Sequence, residues 1–219
     1  MTNWREFVEQ HTLAVLQVGG ADRARVRLLQ WPDGSQALLK DFSRSSWLYR
    51  MTLGRLAISN EARAYQLAEG VVGVPRLLAR PQPDSLVVEG VQGRSLNTIA
   101  REDHDLPFGI VDQARDILAR LHGIGVAHGD LGHDADGILG RDANVIWGEG
   151  QLYLIDFASA VYRDRSPAPM FEAVCTYDRL LITKLLRRYF PERQQEPEFN
   201  LHLNLPPQQR VWLKMLKKI

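Results

Sequence analysis

Residues 144–159 read NVIWGEGQLYLIDFAS. Two short runs rich in β-branched and aromatic residues flank Gly-Glu-Gly, and runs of that kind around a glycine turn form a β-hairpin. Asn144 opens the first strand and Asp156 closes the second. This hairpin constrains the fold because of what lies on either side of it. Before it, GIVDQARDILARLHGIGV places Ile110, Val111, Ala114, Ile117, Leu118 and Leu121 at helical spacing and stops at Gly123. After it, FEAVCTYDRLLITKLLRRYFP reads as a second helix that Pro191 ends. A chain with helices around a hairpin here must be a mixed α and β protein.

The first ninety residues are richer in strands. Trp4, Phe7, Val8 and His11 share one face of a short helix expected over residues 4–17. ARVRLLQW and SQALLKDF flank Pro-Asp-Gly and predict a hairpin, with Lys40 near the end of its second strand. Asn60 is placed to cap a helix through NEARAYQLAEG that ends near Gly70. VPRLLAR and SLVVEGVQG read as two more strands. The expectation is an antiparallel sheet of about five strands with one helix over residues 12–91.

Composition narrows the function classes. The 219 residues carry a formal net charge of +1, so nothing global points to nucleic acid. One cysteine, Cys175, excludes a disulfide framework within the chain and makes a cysteine-rich zinc site implausible. No apolar run is long enough to span a membrane, and the first residues lack a signal-peptide core. A cytoplasmic location is expected. Two basic segments, SRSSWLYRMTLGRLAI and VWLKMLKKI, suit either an anionic membrane surface or an amphipathic helix packed on its own domain.

Phosphoryl transfer asks little of a protein. It needs a cation on the phosphates, oxygen ligands for Mg²⁺, and a carboxylate that orients the acceptor hydroxyl and takes its proton. Protein kinases are the standard example, and the match to their motifs runs in order along the chain. Lys40 in ALLK stands for the phosphate-binding lysine, and Glu61 on the next helix for its ion-pair partner. Asp130 in HGD is the candidate base, with His128 as its structural partner. Asn144 and Asp156 are the candidate metal ligands. Taken singly, each has a plainer role as a solvated lysine, a surface glutamate, a turn or a helix cap. The order and the element types together make the case.

The chain resembles the small bacterial kinase-like proteins grouped with lipopolysaccharide core kinases and Rio-type kinases. The likeness rests on NEARAY, HGDL, NVIW, LIDFASA and YDRLLITKLLRRY and covers roughly residues 12 to 191. It implies an α+β, two-lobed protein-kinase-like fold, with an N-lobe over 1–91 and a minimal helical C-lobe over 92–219. ATP and Mg²⁺ would occupy the cleft. Backbone groups of Glu89 and Val91 in EGVQG would face the adenine. Asp178 matches the helix aspartate that braces the catalytic loop, or is simply a charge near a helix N-terminus. The implied activity is transfer of phosphate from ATP to a hydroxyl, with a lipopolysaccharide core sugar at a cytoplasmic membrane face as the acceptor. A Rio-like protein Ser/Thr kinase and an inactive nucleotide-binding scaffold are the alternatives.

Three departures qualify the match. Gly19 and Gly20 lie where a glycine-rich loop belongs, without its full pattern, and either cover phosphates or make a turn. Arg23 and Arg25 beside them either add charge or are solvated. Ala158 replaces the usual glycine after Asp-Phe, and the segment that follows is short and lacks Ala-Pro-Glu, which favours a small acceptor. Asn144 follows Asp130 by fourteen positions, where the template has five. The extra residues include His133, Asp134, Asp136 and Asp142. They form either a surface bulge that leaves Asn144 in place or a source of a substitute metal ligand.

Overall fold

The computed structural model describes residues 4–102, 105–131 and 142–201. The chain divides into two compact units, Met1–Gly70 with Pro75–Gln92, and Val71–Val74 with Gly93–Ile219.

The first unit is a five-stranded antiparallel sheet. Its order is β1 (Thr12–Gln17), β2 (Arg25–Gln30), β3 (Gln36–Asp41), β5 (Ser85–Glu89) and β4 (Leu77–Gln82). The Pro-Asp-Gly turn closes β2 onto β3. Gly34 takes φ +84° there, its N–H donates to the Trp31 carbonyl at 2.9 Å, and the Asp33 carboxylate accepts from the Ser35 N–H. Register then sorts the side chains. Val26, Lys40 and Leu86 form one cross-strand row, while Arg27, Leu39 and Val87 form the next on the opposite face. The helix α1 (Trp4–His11) lays Val8 on that second face, over Leu29, Ala37, Leu39 and Val87.

Two expectations fail in this unit. The helix expected over residues 4–17 stops at His11, and Thr12–Gln17 is a strand. The Thr12 hydroxyl donates to the Val8 carbonyl and closes the helix, and TLAVLQ, rich in residues that suit a pleated surface, pairs along β2. Asn60 is not a cap. Helical backbone begins at Trp47 (α2, Trp47–Tyr49) and passes through a π-helical turn, Arg50–Gly54, into α3 (Arg55–Leu67). Gly54 is what fits there, because a Cβ at that point would stand 3.0 Å from the Phe42 ring. The basic segment is therefore largely helix, yet Trp47, Leu48, Leu53 and Leu56 stay exposed.

The second unit is helical around small sheets. It holds β6 (Arg94–Ser95), α4 (Leu96–Glu102), α5 (Gly109–Gly123), β7 (Val126–Ala127), β8 (Val145–Gly148), β9 (Gln151–Leu154), β10 (Val161–Tyr162) and α6 (Ala168–Tyr189). β6, β8 and β9 form one sheet, and β10 pairs with β7. The six apolar residues at helical spacing in α5 are all buried. Gly73 lies against this helix with φ +88°, and a Cβ there would meet Ile117 at 2.3 Å. Pro169 is tolerated in the first turn of α6, where its missing N–H has no intrahelical partner to lose. The basic helix expected at the C-terminus falls outside the described residues, as do His133, Asp134 and Asp136.

Leu39 is fully buried under α1. Leu39→Ala is expected to lower the unfolding free energy by about 2–5 kcal/mol. Urea unfolding should show this as a lower midpoint with an unchanged slope.

Candidate active site

In the first unit, β3 delivers Lys40 to the face on which α3 packs. Its Nζ lies 2.8 Å from Glu61 Oε2. The Glu61 side chain is 3% exposed and that of Lys40 17%. A carboxylate so deeply buried requires a cation beside it, so the pair fixes the lysine's direction as the sequence expects. Gly19 and Gly20 form a turn. Gly19 takes φ +82°, and a Cβ on it would stand 3.1 Å from the Arg25 backbone. The Gly20 N–H already donates to the Arg23 carbonyl at 3.1 Å, which takes one amide away from any phosphate-covering role. Arg23 is exposed and Arg25 is half-buried in β2.

The connector after β5 is also partly committed. The Glu89 N–H donates to the Arg76 carbonyl at 2.9 Å, and the Gly90 N–H to the Gln36 carbonyl at 2.8 Å. Among the described residues the Val91 N–H donates to no backbone carbonyl. Of the backbone donors expected to face adenine, it is Val91 that remains.

In the second unit the site is assembled around Asp178. This carboxylate lies mid-way along α6, fully buried, and so is not a helix N-terminal charge. Its Oδ2 accepts from the His128 N–H at 2.7 Å, and its Oδ1 from the Gly129 N–H at 2.9 Å. His122 Nε2 lies 3.0 Å from Oδ2. One side chain thus pins two successive amides of the HGD loop. Gly129 has φ +79°, and a Cβ on it would come within 2.5 Å of the Ser159 carbonyl oxygen. Only glycine fits.

His128 extends the network. Its Nε2 lies 2.9 Å from the Ile155 carbonyl, and the Asp130 N–H donates to its Nδ1 at 3.3 Å. Both contacts are met by the neutral tautomer protonated on Nε2. The Ile155 N–H in turn donates to the Asn144 carbonyl at 2.9 Å. Asp156, the next residue, sits at φ +62° and accepts from the Ala158 N–H. A left-handed, non-glycine residue is uncommon enough to mark a place where surrounding structure dictates the backbone.

Asn144 closes the arrangement. It ends a short 3₁₀ turn, Asp142–Asn144, that leads into β8. Its Nδ2 donates to the Asp130 carbonyl at 3.1 Å and to Asp130 Oδ2 at 3.0 Å. The fourteen-residue separation has not pulled the two apart. With its nitrogen committed to Asp130, Asn144 has Oδ1 to offer a cation. Asp130, Asn144 and Asp156 are all half-buried. The Asp156 carboxylate and the Asn144 amide oxygen are of the kind Mg²⁺ takes from a protein when phosphate oxygens and water complete its shell. Among the described residues, no group of three or more His, Cys, Asp or Glu is placed to hold a metal by itself.

No family model and no curated protein matches the sequence. Solved structures do match. The Rio2 kinase from Chaetomium thermophilum aligns with a TM-score of 0.62 over 97% of this chain and 70% of that one, at 16% identity. The ADP/Mg²⁺-phosphoaspartate complex of the same kinase gives 0.60, 97%, 69% and 17%. The chain has the protein-kinase-like fold. At such identities the likeness speaks for the fold alone.

The sequence reading missed His122. A histidine at the C-terminal end of α5 next to glycine reads locally as a favourable helix-end charge, and its partner Asp178 lies 56 positions away. Cys175 has no part in the chemistry. Burial, and next the charge of Asp178, push its thiol up to about 12, so it stays protonated at physiological pH.

Asp178→Asn replaces an acceptor with an amide that cannot take all the N–H bonds, and is expected to lower stability by about 3 kcal/mol or more. Denaturant unfolding measures it. Cys175 is expected to react negligibly with a thiol reagent at pH 8 in the native protein, and fully once unfolded. Rapid native labelling would contradict its burial.

Proposed function

We propose that the chain is an ATP- and Mg²⁺-dependent phosphotransferase acting on a hydroxyl. The observation that carries this reading is the double hydrogen bond from Asn144 to Asp130. It brings the candidate metal-ligating side chain back to the candidate base across the long loop. In the proposed reaction Lys40, aimed by Glu61, neutralises phosphate charge. Val91 offers its N–H to the base. Asn144 and Asp156 would hold Mg²⁺, which supplies further charge neutralisation when bound. Asp130 orients the acceptor hydroxyl and takes its proton as the new O–P bond forms and the bond from the γ-phosphorus to ADP breaks. Alignment and charge stabilisation carry most of the rate.

The proposed acceptor is a sugar hydroxyl of a lipid-linked glycan of the lipopolysaccharide-core type, met at the cytoplasmic face of a membrane. Two features support it. Trp47, Leu48, Leu53 and Leu56 are exposed beside Arg44 and Arg55, which suits an anionic lipid surface. Only Arg163–Pro167 joins β10 to α6, too little chain for the long segment on which protein kinases dock folded substrates. The likeness to Rio2 favours a second reading, a Rio-like protein kinase. The phosphoaspartate in that relative's complex suggests a variant of the step in which a carboxylate of this chain attacks the γ-phosphorus, ADP leaves, and water then cleaves the acyl phosphate to free phosphate.

A thermal shift with ATP is expected to need Mg²⁺ for its full size. Asp130→Asn is expected to keep that shift and to lower phosphate transfer by about 10²–10⁴-fold. Binding with no transfer or hydrolysis in the unaltered protein would leave only a scaffold. Radiolabelled ATP with fractionated extract separates the acceptors. Label confined to other proteins sinks the glycan reading, and hydroxylamine-labile label on this chain marks an acyl phosphate.

A further inference from the structure

The face of the first unit's sheet that points away from Lys40 has no part in the proposed reaction. Under α1 it is apolar, with Leu29, Ala37, Leu39 and Val87 packed on Val8. Toward the β4–β5 turn its character reverses. Register sets Arg25 beside Asp41, Asp41 beside Ser85, and Ser85 beside Gln82, with Arg27 on the same face one row along. A pocket of about 220 Å³ opens here between α1, these strands and Arg50. Arg5, Arg25, Arg27 and Arg50 line it, against the acidic Glu9 and Asp41.

The polar groups in this pocket are only half used. Asp41 accepts from Arg27 at 2.8 Å, and Arg50 is bonded to the Asp84 carboxylate. Ser85 is 4% exposed, yet its buried Oγ has no hydrogen-bond partner. The buried Nε atoms of Arg25 and Arg27 also lack one. Unpaired buried donors cost free energy that an acceptor-rich guest would recover. Burial, and next the like charges of Arg27 and Arg44, hold the Arg25 guanidinium below its usual range, a repulsion that an anion between them reverses. Four guanidinium groups stand against the carboxylates of Glu9, Asp41 and the Asp84 that Arg50 holds, which leaves an excess of one positive charge. The volume falls below the range of about 300–1,000 Å³ that drug-sized ligands occupy, so the guest is small. Guanidinium forks and a hydroxyl donor fit the oxygens of a tetrahedral anion.

We propose that this pocket binds a phosphate-class dianion, either free phosphate or the phosphoryl end of a small metabolite, at a site separate from Lys40. The full chain is titrated with sodium phosphate, and with sodium chloride at matched ionic strength, by calorimetry and thermal shift. Saturable binding specific to phosphate is expected. Arg25→Gln should weaken it by about tenfold or more, the loss of one charged hydrogen bond. Arg5→Ala, on the exposed side of α1, should weaken it without threatening the fold. The double variant Lys40→Met with Glu61→Gln, which leaves no buried carboxylate without its cation, should leave it intact, and this separates the pocket from the proposed nucleotide site. Tighter binding of a small sugar phosphate than of phosphate identifies the metabolite source, and equal binding identifies the free ion. Phosphate acting no more than chloride overturns the proposal, as does binding that survives both arginine variants or vanishes in a folded Lys40→Met, Glu61→Gln double variant.

Discussion

The buried carboxylate of Asp178 is the contact on which the second unit's candidate chemistry depends. A carboxylate without solvent must be satisfied by donors, and its donors here are two loop amides and a histidine ring. The energetic demand of α6 thereby becomes a positional demand on His128 and Gly129. Because the loop is held by its backbone, the side chain of Asp130 need not take part in holding it. That leaves a half-buried carboxylate for other work.

The same logic explains how an insertion is tolerated. Loop closure becomes only slowly more costly as a loop lengthens, so extra residues between Asp130 and Asn144 carry a small penalty if both ends are fixed independently. They are. Asp178 and His128 fix the first end. The second is fixed by the β8–β9 ladder and by the Ile155 N–H on the Asn144 carbonyl. The Asn144 amide on Asp130 then follows from two anchors that owe nothing to the chain between them.

Where the sequence was legible, one local period decided the outcome. The α5 face, the hairpin after Asn144 and the Pro-Asp-Gly turn were each set by spacing within a few residues, and each formed. Helix boundaries were not legible. Thr12 continues a pattern that reads equally as helix, and only pairing with β2 makes it strand. Asn60 carries a fine capping side chain, but Gly54 against Phe42 lets the helix start further upstream. His122 and the Arg25–Asp41–Ser85 row were invisible for a different reason. Both are contacts between residues far apart in sequence, and no local window contains them.

The glycine turn shifts the electrostatic load in the proposed reaction. A phosphate-covering loop works through free backbone amides, and here the Gly20 amide is spent within its own turn. In that proposed reaction, charge on the phosphates would fall more heavily on Lys40 and on the Mg²⁺ that Asn144 and Asp156 would hold. Lys40 suits that load because Glu61, 3% exposed, holds it in one direction. The fixed cation gives up little freedom when phosphate arrives, and that preorganisation compensates in part for the amides the loop withholds.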